Sequence, residues 1–152
     1  MSLKERLSED LKKAMKSGDK ERLETLRTLR AALLEKEIEL RTTTRSLSPE
    51  DETGVLTGAA KKRKESIEQF GKGGRQDLVD QETRELSIIQ EYLPQQMSRD
   101  EVVSVLQQII DETGAQGAQD FSKVMPLAMK QLKGKTDGKM VQELVREMLA
   151  RN

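Results

Sequence analysis

The stretch Lys61 to Pro94, KKRKESIEQFGKGGRQDLVDQETRELSIIQEYLP, places a basic cluster, a glycine break and a helical heptad in one segment. Upstream of the break, Leu56, Ala59, Ala60, Ile67 and Phe70 fall on one side of a helix, and Gly71-Lys72-Gly73-Gly74 stops it. Downstream, Val79, Leu86, Ile89 and Leu93 recur seven, three and four residues apart, which predicts a second helix from about Gln76 that Pro94 ends. Two helices joined by a glycine turn set the pattern for the rest of the chain.

Working toward the N-terminus, Ser48-Pro49-Glu50-Asp51 opens the basic helix with a hydroxyl cap, a proline in the first turn and acids at the positive end of the dipole. The run Thr42-Thr43-Thr44-Arg45-Ser46 separates it from an earlier helix, capped by Asp19, in which Leu23, Leu26, Leu29, Leu33, Leu34 and Ile38 hold a helical period. A first helix starts at the capping box of Ser2 and Glu5, repeats Leu3, Leu7, Leu11 and Met15 at intervals of four, and ends near Ser17-Gly18.

Toward the C-terminus, Met97 to Val102 combines a capping box with a hydrophobic staple and starts a fifth helix carrying Val102, Val105, Leu106, Ile109 and Ile110. Met125, Ala128, Met129 and Leu132 mark a sixth. Pro126 requires that helix to kink or to begin only two or three residues earlier. Thr136 or Asp137 caps a seventh, with Val141, Leu144, Val145, Met148 and Leu149 as its stripe. No segment alternates with period two. The expectation is an all-α protein: an N-terminal helical bundle over residues 1–94 followed by a C-terminal three-helix tail over 95–152.

Composition bounds the chemistry. The 152 residues include no His and no Cys, which removes the usual bases, thiol nucleophiles and soft metal ligands. No spacing of Ser, Thr, Asp or Glu forms a catalytic set, so no catalytic residue, cofactor or metal is expected. One Tyr, two Phe and no Trp leave too few aromatic faces to stack single-stranded bases. The N-terminus lacks the apolar segment of a secretory signal, and no run reaches the roughly 20 apolar residues that span a bilayer. These features predict a cytoplasmic protein with no membrane partner.

The 27 basic and 27 acidic residues cancel, but unevenly. Residues 1–75 hold 18 basic against 14 acidic side chains, 76–120 hold 2 against 10, and 121–152 hold 7 against 3. Basic surface is expected on either side of an acidic middle. On a helical wheel Lys61, Lys62 and Lys64 point away from the apolar stripe, which suits phosphate contact; the alternative is a solvated face with Lys61 and Lys64 paired to Glu65 and Glu68. Arg63 falls inside the stripe and reads as an architectural clamp to a carboxylate of the next helix, Glu82 or Glu85. Gly71 to Arg75 offers an anion-binding nest or a plain turn. Lys130, Lys133, Lys135 and Lys139 surround a second glycine turn and form a further candidate phosphate edge. The methionines from Met97 to Met148 read as core fillers rather than a plastic groove.

At KKRKESIEQFGKGGRQDL, EYLPQQMS and KGKTDGK the sequence resembles the YqeY family, and the likeness covers nearly the whole chain. One departure is Phe121-Ser122, where the family pattern suggests a Met-Gly pair. The resemblance implies kinship with the C-terminal portion of the GatB component of glutamine-dependent aspartyl/glutamyl-tRNA amidotransferases, the part that engages tRNA. It implies a free-standing tRNA-binding module, non-catalytic by itself, whose partner is tRNA or a tRNA-like RNA. Two other readings go with it: an accessory protein of an amidotransferase or aminoacyl-tRNA synthetase acting through protein contacts, and a true carbon-nitrogen ligase with glutamine as amido donor, whose residues are missing here.

Overall fold

The computed structural model describes residues 1–43 and 46–151. Among the described residues there are seven α-helices: α1 (Leu3–Ser17), α2 (Lys20–Arg41), α3 (Pro49–Lys72), α4 (Gln76–Gln90), α5 (Arg99–Thr113), α6 (Phe121–Leu132) and α7 (Gly138–Ala150), with a 3₁₀ turn over Ala118–Asp120. The fold class is all-α. Internal packing divides the chain into two compact units, Met1–Leu93 and Pro94–Asn152.

In the first unit α1 pairs with α2 and α3 with α4, while α2 also contacts α3 and α4. Its ends follow the sequence chemistry. The Ser2 hydroxyl accepts the Glu5 amide and the Glu5 carboxylate accepts the Ser2 amide, Asp19 accepts from the Arg22 amide, and Ser48 and Asp51 close a second reciprocal box. Gly18, at φ 73°, supplies the left-handed turn that lets the chain leave α1 and reverse into α2. Leu7, Leu26, Leu29, Leu33 and Ile89 are the best-buried side chains of this core. Burying each contributes about 1.5–3 kcal/mol.

Four details depart from the sequence reading. Met15, Leu34 and Ile38 are exposed rather than buried, at 61%, 48% and 52%, and Ala14 and Leu40 take buried positions instead. An interval of four overshoots a turn by about 40° each time, so by Met15 the i+4 series has rotated off the face that Leu3 begins. Second, α3 does not stop at Gly71; both Gly71 and Lys72 are helical, and the turn is confined to Gly73 and Gly74. Third, α4 ends at Gln90, because Glu91, Tyr92 and Leu93 donate to the carbonyls three residues back, tightening the chain before Pro94 excludes helical geometry from its predecessor. The threonine-rich break follows Arg41, although Thr44 and Arg45 lie outside the described residues.

The second unit is three helices, each contacting the other two, over an apolar core that includes Val102, Leu106, Ile109, Ile110, Val124, Leu132, Val145 and Leu149. The Ser98 hydroxyl caps α5 by accepting the Glu101 amide, and Asp137 caps α7 by accepting the Lys139 amide. The fourth departure concerns one of the two alternatives at Pro126, the late start: α6 begins at Phe121, five residues before the proline. Its entry is prepared by the 3₁₀ turn, since the Phe121 amide donates to Ala118 and the Asp120 amide to Gly117. Ser122 and Pro126 are both exposed, so the carbonyl that Pro126 cannot bond lies on the wet side of the helix.

Candidate nucleic-acid interface

Each unit holds part of the predicted basic surface. Lys61 and Lys62 stand exposed on the outer face of α3. Lys64 is placed differently: it is half-buried, lying about 40° around the helix from buried Ala60, and it has an interaction of its own. Glu68, an acid of the alternative pairing, lies 3.4 Å from Lys72.

Arg63 turns inward between α3 and α4. Its Nη1 donates to Glu85 Oε2 at 2.6 Å and to Glu82 Oε2 at 3.1 Å, so the structure uses both carboxylates that the sequence left open. Gln81 Nε2 donates to the second oxygen of Glu85, which is buried. One guanidinium thus satisfies two acids a turn apart on α4, with its stem lying along the seam.

The glycine turn after α3 is not an open nest. The amides of Gly73, Gly74 and Arg75 donate to the carbonyls of Gln69, Gly71 and Phe70, closing the end of α3. Arg75 is engaged through Nε at 3.1 Å and Nη2 at 3.0 Å by Asp77, in the first turn of α4. The Arg75 guanidinium holds the Asp77 carboxyl below the ordinary carboxylate range. An anion already sits at that helix start, and it is the protein's own.

In the second unit Lys130 closes α6, Lys133 and Lys135 flank Gly134, and Lys139 lies in the first turn of α7; all four are exposed. Gly134, buried and at φ 79°, reverses the chain where a side chain would be strained. The turn is tied from outside: Gln96 Nε2 donates to the Gly134 carbonyl and the Met97 amide to the Lys135 carbonyl, each at 2.8 Å. Lys133 and Lys135 therefore project from a fixed backbone. Among the described residues, the side chains of Lys61, Lys62, Lys130, Lys133, Lys135 and Lys139 make no ion pair.

Sequence clustering passed over another basic group. Lys4, Lys12, Arg27 and Arg30 lie far apart in the chain and come together only when α1 and α2 pair. Helical spacing within each element was the available signal; which element meets which was not.

Among the described residues no group of three or more acidic, His or Cys side chains gathers as a metal site, and no helix is long and apolar enough to cross a membrane. The fold and its surface define a class: a small all-α protein built from a four-helix and a three-helix unit that carries, among the described residues, exposed and unpaired lysines at helix faces and turns. The chain belongs to the YqeY family, described as Yqey-like protein, which it matches over residues 4–149. Similar proteins include "Altered inheritance of mitochondria protein 41, mitochondrial" of Kluyveromyces lactis, 34% identical over 137 residues that cover 88% of this chain and 68% of that protein. The protein of the same name from Eremothecium gossypii is 38% identical over 90 residues, covering 57% of this chain and 46% of that protein. The chain thus spans about half the length of that relative. The names overturn the expectation of a cytoplasmic protein, since these relatives are called mitochondrial. The inference failed because a missing apolar segment speaks against secretion only; organellar addresses are amphipathic and basic, without an apolar core.

Proposed function

We propose that the protein is a non-catalytic module that binds tRNA or a tRNA-like RNA through its phosphate backbone, with Lys130, Lys133, Lys135 and Lys139 as one contact edge and Lys61 and Lys62 as another. The observation that carries this is the α6–α7 turn, where Lys133 and Lys135 are exposed and, among the described residues, unpaired on a backbone pinned by Gln96 and Met97. Most arginines seen in ion pairs are committed to the protein itself: Arg22 to Glu91, Arg63 to Glu82 and Glu85, Arg75 to Asp77, Arg84 to Glu21. These lysines are not. Ammonium groups on flexible stems suit phosphates taken as point charges, without the bidentate geometry that reads base edges. Lys64, half-buried and engaged, is left out of the contact set.

The reading holds in any compartment that contains tRNA. It is tested by measuring binding of the purified chain to bulk tRNA across a salt series, with duplex DNA as control. Binding that prefers tRNA and weakens steeply with salt is expected. Absence of binding at low salt would overturn it.

A further inference from the structure

The α1–α2 hairpin leaves an apolar groove uncovered. Its volume is about 820 Å³, and Leu11, Met15, Ala31 and Leu34 form its floor. Met15 and Leu34 are 61% and 48% exposed, and Ile38, one turn beyond Leu34, extends the strip at 52%. Large apolar side chains left in water along one line mark a contact surface more than stray exposure does. From Lys4 to Met15 the groove follows about 16 Å of α1, three turns of a partner helix.

The rim supplies the sign of the partner. Lys4, Lys12, Arg27 and Arg30 face a single carboxylate, Glu37. Lys4 takes Glu37 at 3.4 Å and Arg27 takes Glu24 at 2.9 Å, while Lys12 and Arg30 make no ion pair among the described residues. We infer that this groove docks an amphipathic helix of a protein partner, apolar on one face and acidic along its flanks. Grooves with this apolar floor receive helices through residues spaced three, four and seven apart. A second copy docked face to face would bring two basic rims together. Nucleic acid would meet a floor with no aromatic ring to stack on. The surface is distinct from the lysines assigned to RNA, so either reading stands or falls alone.

The test uses the full chain and a fluorescent probe peptide of about twelve residues, with leucines at helical spacing and glutamates on the flanks, beside a twin carrying lysines in place of the glutamates. Saturable binding of the glutamate peptide is expected. Leu34→Asp and Arg30→Glu should each weaken it about tenfold, Arg30→Glu should raise binding of the lysine twin, and Lys135→Glu should change neither. Circular dichroism confirms folding, and Met15→Ser gives a second, milder variant of the floor. Equal binding of both peptides, or indifference to Arg30→Glu, overturns the proposal. So does self-association in sedimentation, or binding to anionic vesicles in place of the peptide, if Leu34→Asp abolishes it.

Discussion

The two units spend their polar side chains differently. Among the described residues, the three-helix unit buries only apolar side chains in its core, Val102, Leu106, Ile109, Ile110, Val124, Leu132, Val145 and Leu149 among them. The four-helix unit threads polar groups through its seams: Arg63 with Glu82 and Glu85, Thr25 donating to the Glu21 carbonyl, and Tyr92 donating to Asp10 at 2.5 Å with Arg6 over its ring at 4.7 Å. It also leaves Met15, Leu34 and Ile38 exposed, where the three-helix unit exposes Leu127. Removing one partner of a half-buried ion cluster strands the others in a desolvated seam, so the α3–α4 contact depends on Arg63, Glu82 and Glu85 staying together. The difference lies in where charge sits: the three-helix unit keeps its Arg99–Glu147 ion pair on exposed side chains, whereas the four-helix unit sets Arg63 and two carboxylates into a seam between helices.

Substitutions can break that contrast. The largest effect is expected from cavities: Leu106→Ala in the three-helix unit and Leu29→Ala in the four-helix unit should each cost about 3 kcal/mol, read by urea unfolding. Next comes the clamp. Arg63→Ala should cost about 2–4 kcal/mol, because it leaves two carboxylates uncompensated in a half-buried seam. Arg63→Met combined with Glu82→Gln and Glu85→Gln should recover most of that loss; failure to recover would mean that the charge pairing itself, and not the stranded acids, dominates.

A smaller effect is expected at Tyr92→Phe, about 1 kcal/mol for the lost hydrogen bond to Asp10. The pH dependence has a definite sign. Burial, then the bond to Asp10, raises the Tyr92 phenol above its ordinary value. Stability from this group is therefore fully present below the unfolded tyrosine pKa of about 10 and is lost as pH rises above it. Tyr92 is the only tyrosine and there is no tryptophan, so phenolate absorbance reports it alone. In the native chain that band should rise together with loss of helical circular dichroism; in urea it should titrate near 10. The smallest effect belongs to Leu34→Ser, within about 0.5 kcal/mol, since an exposed side chain adds little to the isolated fold.

The same contrast decides what was legible in the sequence. In α7 every predicted stripe residue, Val141, Leu144, Val145, Met148 and Leu149, is buried, because a short amphipathic helix in a three-helix unit buries its whole apolar face. In α2 the period showed which residues are apolar but not which line meets a neighbour. Leu26, Leu29, Leu33 and Leu40 lie on one line and are buried, while Leu34 lies about 100° from Leu33 and stays exposed. Arg63 was readable as a clamp because a lone cation inside an apolar stripe needs a carboxylate. Its use of both acids was not, since that depends on the spacing of α3 from α4. Lys64 shows the limit of a wheel: its neighbours Ala60 and Ile67 draw it toward the seam.

The central claim is that exposed, unpaired lysines meet phosphate, and the most direct measurement compares salt slopes for tRNA binding. Lys133→Glu with Lys135→Glu, and separately Lys61→Glu with Lys62→Glu, should each weaken binding and flatten the plot of log affinity against log salt, by about 0.7–0.9 for every phosphate no longer neutralised. Wild-type slope and affinity in both double variants would contradict the account.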